Sequence, residues 1–312
     1  MPLESQVTRR WPLRWGLVLV AIALGAMVYA SLDWYVAAPP EALANATYVG
    51  RQACIACHAA EVEAHAGSHH DRAMEIASPA SVRGDFDNAT LEYHGITTRF
   101  FRRGEQYFVN TLGPDGTYAD FEVKYTFGVE PLQQYMVEFA DGRVQVLRES
   151  WDTESKQWFY LPPHDATDVK LAPDDPAHWT GIGQNWNSTC AACHSTDLKK
   201  NYDLATDTYD TTFSEIDVSC EACHGPASLH VELAQSNSLF WDRRFGYGLH
   251  SLKSPSNRPE IDTCAQCHAR TFGQLADYRP GQPLDDAFHL ALLDEGLYHA
   301  DGQIEDEVFE VG

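Results

Sequence analysis

Eight cysteines occur in this chain, and all fall in four copies of one pentapeptide, C-x-x-C-H: Cys54–His58, Cys190–His194, Cys220–His224 and Cys264–His268. Two thiols three residues apart occupy neighbouring positions on one helical turn. That spacing suits thioether bonds to the two vinyl groups of a porphyrin, and the adjoining imidazole then turns to the iron as proximal ligand. The pattern assigns Cys54, Cys57, Cys190, Cys193, Cys220, Cys223, Cys264 and Cys267 to covalent attachment, and His58, His194, His224 and His268 to the irons of four haems c. Chance supplies about 0.01 such matches at this composition, so the repeat is not coincidence. Zinc does not require a histidine after every second thiol. A thioredoxin-like pair occurs once, beside a βαβ pattern that is missing here.

Fourteen histidines less the four proximal ones leave ten for the opposite side of the irons. Two places stand out by spacing. His230 follows His224 by six residues, too short a segment to pass round the porphyrin, since a helix advances ~1.5 Å per residue. If it ligates, it serves a neighbouring haem and brings two haems close. His69 and His70 raise the same prospect near the first motif. Met74 could ligate as well, but a methionine is more often packing.

At these residues the chain resembles the cytochrome c-554-like multihaem cytochromes c. The resemblance is carried by Tyr48-Val49-Gly50 before the first motif, Gly67-Ser68-His69-His70 after it, and Cys220–His224 running through Gly225-Pro226 to His230. Segments 127–135 and 295–303 look similar to membrane-anchored relatives in which a tetratricopeptide region follows the haems. The resemblance implies stacked, mostly bis-histidine haems that pass electrons, with His69 or His70, His230, His178 and His299 as distal ligands. Those larger relatives continue with further haem motifs and helical repeats that are absent here, so the chain also reads as the haem-bearing N-terminal fragment of such a protein.

The elements that must carry these groups begin with an anchor. Residues 15–32 hold no charge and span roughly 27 Å as a helix, about the hydrocarbon thickness of a bilayer. Arg9, Arg10 and Arg14 precede them and Asp33 follows, so the positive-inside rule leaves residues 1–14 in the cytoplasm and the rest in the periplasm. A cleaved signal peptide is the nearer rival, but the apolar run exceeds a signal core of ~7–15 residues. We therefore expect a single-pass bacterial inner-membrane protein. Residues 33–47 read as a linker, 48–84 as a first haem segment, and 85–165 as an antiparallel β insertion. Residues 166–312 read as a segment with three haem motifs and an acidic tail. Strands are expected at 91–94, 106–112, 118–127, 133–139 and 144–147 from alternation and turn residues such as Asp141-Gly142, and a helix at 284–293. The expected fold class is α+β: a transmembrane helix and a mostly helical or irregular multihaem domain, interrupted by the β insertion.

Composition limits the function classes. The formal net charge of −23 excludes a nucleic-acid backbone as partner. It favours redox partner proteins that dock through basic rim charges. Four haems on one exported chain suit an electron carrier more than a catalyst. The alternative is an oxidoreductase acting on a small nitrogen or sulfur compound at one five-coordinate haem. Aromatic residues, 12% of the chain, are expected to line the porphyrins.

Overall fold

The computed structural model describes residues 11–36, 40–163, 169–240, 245–253, 255–274, 278–291 and 299–300. His164 and most of the acidic tail after 291 lie outside them. The chain divides into two compact units, one of residues 1–47 and 226–250, the other of 48–225 and 251–312.

In the first unit the helix Trp11–Val36 contains a 21-residue stretch, Trp15–Tyr35, of mean hydropathy 2.1 with no part buried. It is long and apolar enough to cross a membrane, and a signal sequence has the same profile. The segment expected as a tether contains a short helix, Pro40–Ala44. Ala46 beyond it packs against Leu229 and Leu233 of the helix Ser228–Gln235. Thr47 N–H donates to Ser228 Oγ at 2.8 Å, and Ser228 N–H returns a bond to Thr47 O.

The second unit is built on a nine-stranded antiparallel sheet. Its strands are β1 (Met74–Ile76), β2 (Ala89–Tyr93), β3 (Ile96–Arg103), β4 (Gln106–Leu112), β5 (Tyr118–Phe127), β6 (Leu132–Glu138), β7 (Val144–Val146), β8 (Glu149–Asp152) and β9 (Gln157–Tyr160). The path runs β2-β3-β4-β5-β6-β8-β9, with β1 on β5 and β7 on β6. Its ends approach each other through Tyr93 of β2 and Tyr160 of β9, stacked at 3.8 Å between ring centres. The sheet is thus nearly closed, which hides most of its edge groups. Alternate residues point inward: in β4, Tyr107, Val109 and Thr111 are buried. They meet Phe100, Tyr135 and Trp151, with Phe86 edge-on to Phe100, Tyr107, Tyr135 and Trp158.

Three expectations are corrected here. The haem-motif domain is not mostly helical: helix makes up 29% of the described residues, and the sheet is the dominant element. Apart from the helix Trp11–Val36, the described helices run from four to eleven residues. Many of the aromatic side chains fill the interior of the sheet rather than facing the motifs, because a small barrel needs large flat groups to reach across it. The helix expected at 284–293 is a 3-10 turn, Leu284–Asp286, followed by β13 (Phe288–Leu290). Phe288 and Leu290 pair with β12 (Thr271–Gln274) after two-residue strands β10 (Tyr202–Asp203) and β11 (Thr208–Tyr209).

The turn Asp141-Gly142 lies where the sequence puts it, between β6 and β7. Gly142 has φ +80°, and a Cβ there would lie 2.0 Å from the Tyr209 carbonyl oxygen. Gly142→Ala is therefore expected to destabilise the second unit by about 2–4 kcal/mol through strain and a backbone clash. A shift of the urea unfolding midpoint measures it. An unshifted midpoint removes the Tyr209 contact from the fold.

Candidate functional site: four clustered C-x-x-C-H turns

All four pentapeptides lie in the second unit, on short helical turns. The first begins in the turn Gln52–Ile55, and His58 precedes the helix Ala59–His65. The second joins two turns, Trp186–Thr189 and Ala191–His194, capped by Asn185, whose side chain accepts from Ser188 N–H at 3.0 Å. The third is itself the turn Cys220–His224, ended by Gly225 at φ +77°. The fourth closes the helix Arg258–His268, which has Pro259 in its first turn and an Arg258–Asp262 ion pair one turn apart.

The turns are tied to one another by hydrogen bonds between residues remote in sequence. Glu221, buried inside the third motif, accepts from Val49 N–H at 3.0 Å and Gly50 N–H at 2.7 Å, just before the first motif. Gln266 of the fourth motif donates from Nε2 to Ala222 O of the third at 3.1 Å. The Gln266 carbonyl accepts from the Cys193 thiol of the second at 3.9 Å. The spatial sequence of the turns is therefore first, third, fourth, second. The barrel fixes the second turn: Val144 N–H of β7 donates to Asn187 Oδ1 at 2.7 Å, and Gln145 Nε2 donates to Gly181 O at 2.9 Å.

Thiol and imidazole chemistry fit a covalent porphyrin. All eight cysteines are free of disulfides. Burial pushes the Cys190 thiol up to about 11, and burial together with the nearby Cys220 does the same for Cys54. His194 Nδ1 lies 3.2 Å from the Ala73 carbonyl, which can only accept, so Nδ1 carries the proton. Its Nε2 then presents a lone pair, as a proximal ligand requires. Burial keeps this ring neutral, and the Phe127 ring packs on it at 4.2 Å between centres. Among the described residues no group of three His, Cys, Asp or Glu side chains converges to hold a metal ion directly.

The other histidines are placed as follows. His70 faces His268, ring centres 6.0 Å apart and planes at 74°. Burial, then the His268, His65 and His69 rings, push the His70 imidazole down toward the neutral form. His69 is exposed beside it. His65 donates from Nε2 to Val218 O at 3.0 Å. His178 lies at one end of the barrel, with Nδ1 2.8 Å from Thr180 Oγ1, in a cleft that no motif residue lines. His230 belongs to the first unit, with Nδ1 against Tyr247 O at 2.8 Å. His299 is exposed between undescribed segments. Met74 is fully buried among Met136, Val146 and Trp186, which makes it packing.

Sequence reasoning passed over the polar frame of the site. Arg51 pairs with Asp71 at 2.5 Å, with Glu215 at 3.4 Å and closely with Asp217. Nothing in the sequence marks these residues, because their charges merge into a chain that is acidic throughout.

Neither the curated proteins nor the solved structures contain a match to this chain. Residues 149–225, the stretch that carries β8, β9 and the second and third motifs, match the family described as cytochrome c554 and c-prime. Over that stretch the chain is similar to the cytochromes c, with the covalently bound haem and electron transfer that this family implies.

Proposed function

We propose that this chain is a tetrahaem cytochrome c that passes electrons along four closely spaced haems in the order first, third, fourth, second motif. The observation that carries the reading is the set of direct bonds linking the turns, from Gly50 to Glu221, from Gln266 to Ala222 and from Cys193 to Gln266. Turns in contact hold the groups attached to them near edge-to-edge contact. Each haem supplies one-electron redox chemistry when bound. The protein's part is to fix the spacing, to present imidazoles in the right tautomer and to exclude water from the His194 side.

His70 is assigned as the second ligand opposite His268. The support is that the two rings face each other, 6.0 Å between centres, so that together they would hold one haem iron. The acidic surface stabilises ferric haem and biases potentials low, and it suits docking against basic patches on redox partner proteins. The helix Trp11–Val36 serves as an inner-membrane anchor with the haem-bearing unit in the periplasm, a reading supported by its flanking arginines and its hydropathy.

The test is the mass and spectrum of the exported protein. Four haem masses above the bare polypeptide are expected, and replacing both cysteines of any one motif by alanine should remove one of them. A mass equal to bare polypeptide, or a colourless protein, overturns the proposal. Low-spin ferric signals with no carbon monoxide binding support the carrier. A high-spin site that binds carbon monoxide in the unmodified protein supports the small-molecule oxidoreductase instead.

A further inference from the structure

Two residues before the close of the apolar stretch Trp15–Tyr35, the Asp33 carboxylate is bonded by a turn from a remote part of the chain. Leu239 N–H donates to Asp33 Oδ2 at 2.8 Å, and Ser238 Oγ donates to the same oxygen at 3.1 Å. Serines stiffen this turn from within. Ser238 N–H donates to Ser236 Oγ at 3.2 Å, and Ser236 Oγ donates to the Leu233 carbonyl at 2.7 Å, in the last turns of the helix Ser228–Gln235. Phe240 N–H donates to Ser238 Oγ at 3.2 Å. The Phe240 ring meets Trp34 edge-on, 5.2 Å between centres and 78° between planes. All of these residues belong to the first unit.

These bonds fix the depth of the turn along the helix. A helix rises about 1.5 Å per residue, so Asp33 lies about 3 Å inside the end of the apolar stretch. The stretch itself spans about 31 Å, the thickness of a hydrocarbon layer. A bilayer that takes it up therefore meets the 236–240 turn at its headgroup boundary, the level of Trp34 and Tyr35. The side chains at that level suit such a place. Leu239 is 61% exposed although it is apolar, and Phe240 is half-buried beside Trp34. Lipid covering the turn would take this apolar surface out of water. Asp33 receives two donors on one oxygen, which lowers the cost of keeping a carboxylate at the edge of hydrocarbon. Continuity with the apolar helix selects a lipid surface over a protein as the partner.

We propose that the 236–240 turn is a second membrane contact, pinned by Asp33, with Leu239 and Phe240 among the headgroups and upper acyl chains of the bilayer that Trp15–Tyr35 crosses. The inference rests on the anchor reading of that helix and is independent of the haems. The test places the photo-crosslinker benzoylphenylalanine at one position at a time in the full chain, held in phosphatidylcholine nanodiscs, and reads adducts by mass. Position 24, in the middle of the apolar stretch, is the positive control. Adducts of one lipid are expected at position 239 at about a third or more of the yield at 24. Asp33→Ala releases the turn and should lower the yield at 239 about threefold or more, through loss of two hydrogen bonds to a charged group, with the yield at 24 unchanged. Asp33→Asn keeps an acceptor oxygen and should restore most of it. Because the crosslinker is the same in each case, its own affinity for lipid cancels in the comparison. No lipid adduct at 239 beside a clear one at 24, an adduct to a second chain in its place, or a yield at 239 that Asp33→Ala leaves unchanged overturns the proposal. Lipid adducts missing at 24 as well would overturn the anchor reading, and this contact with it.

Discussion

His70→Ala is expected to convert one of four low-spin ferric signals to high spin and to create one carbon monoxide site per chain. The expectation follows from the facing His70 and His268 rings, 6.0 Å between centres. Ring centres 6.0 Å apart at 74° also suit an ordinary edge-on aromatic contact, so the substitution is what distinguishes ligation from packing. The segment that carries His70 is also held firmly. Its carbonyl accepts from Val218 N–H at 3.2 Å, and Asp71 N–H, the next along the chain, bonds to Ser68 Oγ at 3.2 Å. These bonds fix the His70 backbone beside the third motif. His69→Ala is the control: the ring that faces His268 is that of His70, and loss of His69 should leave all four signals in place. A His70→Ala protein with four unchanged low-spin signals ends the assignment, and a change produced by His69→Ala instead moves it by one residue.

How much of this was legible beforehand differs from element to element. The strand at 106–112 was readable because Tyr107, Val109 and Thr111 alternate with more polar residues, the period-two signature of a half-buried strand. β3 was not, since Phe100 and Phe101 are both buried and two arginines follow them. β8 was hidden by Glu149, an ionisable residue that faces the interior and breaks the apolar pattern, and β9 is only four residues long. Closure of the sheet depends on Tyr93 meeting Tyr160 across 67 residues of sequence, and no local pattern encodes such a contact. The expectation of a mostly helical or irregular domain read the motifs as helical turns among loops and took the sheet for an insertion, whereas the sheet is the dominant element. In the fold the turns at Cys190, Cys220 and their neighbours are short and gain their order from bonds to remote segments. The chemistry of the site was legible because thioether attachment demands fixed spacing. Its geometry was not, because that rests on Glu221, Gln266 and Arg51 finding partners far away in the chain.

Arg51→Leu should destabilise the second unit by about 2–4 kcal/mol at pH 7.5, since it leaves partly buried carboxylates without their cation. Arg51 stands immediately before the first motif's turn, and its backbone N–H donates to Glu215 Oε1 at 2.8 Å. Its guanidinium reaches Asp71, Glu215 and Asp217, three carboxylates about one positive charge. Such a hub joins the first motif, the His70 segment and the approach to Cys220 in one step. The surplus of negative charge has a consequence for pH. Burial, opposed by Arg51 and reinforced by Asp71 and Glu215, pushes the Asp217 carboxyl up to about 6 from 3.8. A group whose pKa is raised on folding binds its proton more tightly in the native state, so its contribution is full below 3.8 and is lost as pH climbs through about 6. Asp71 runs the other way: the Gly67 N–H and Arg51 outweigh its burial and hold it below the ordinary range, so it stabilises above 3.8. Between pH 4.5 and 7.5 the Asp217 contribution therefore falls, on the order of 1–3 kcal/mol. Asp217→Asn should flatten that slope in urea midpoints, and the Arg51→Leu loss should be smaller at pH 4.5, where Asp217 is neutral. Equal losses for Arg51→Leu at both pH values would show that the guanidinium acts by packing and not by charge. The hub would then be a spacer between turns, and its acids would have no hold on the stability of the motifs they connect.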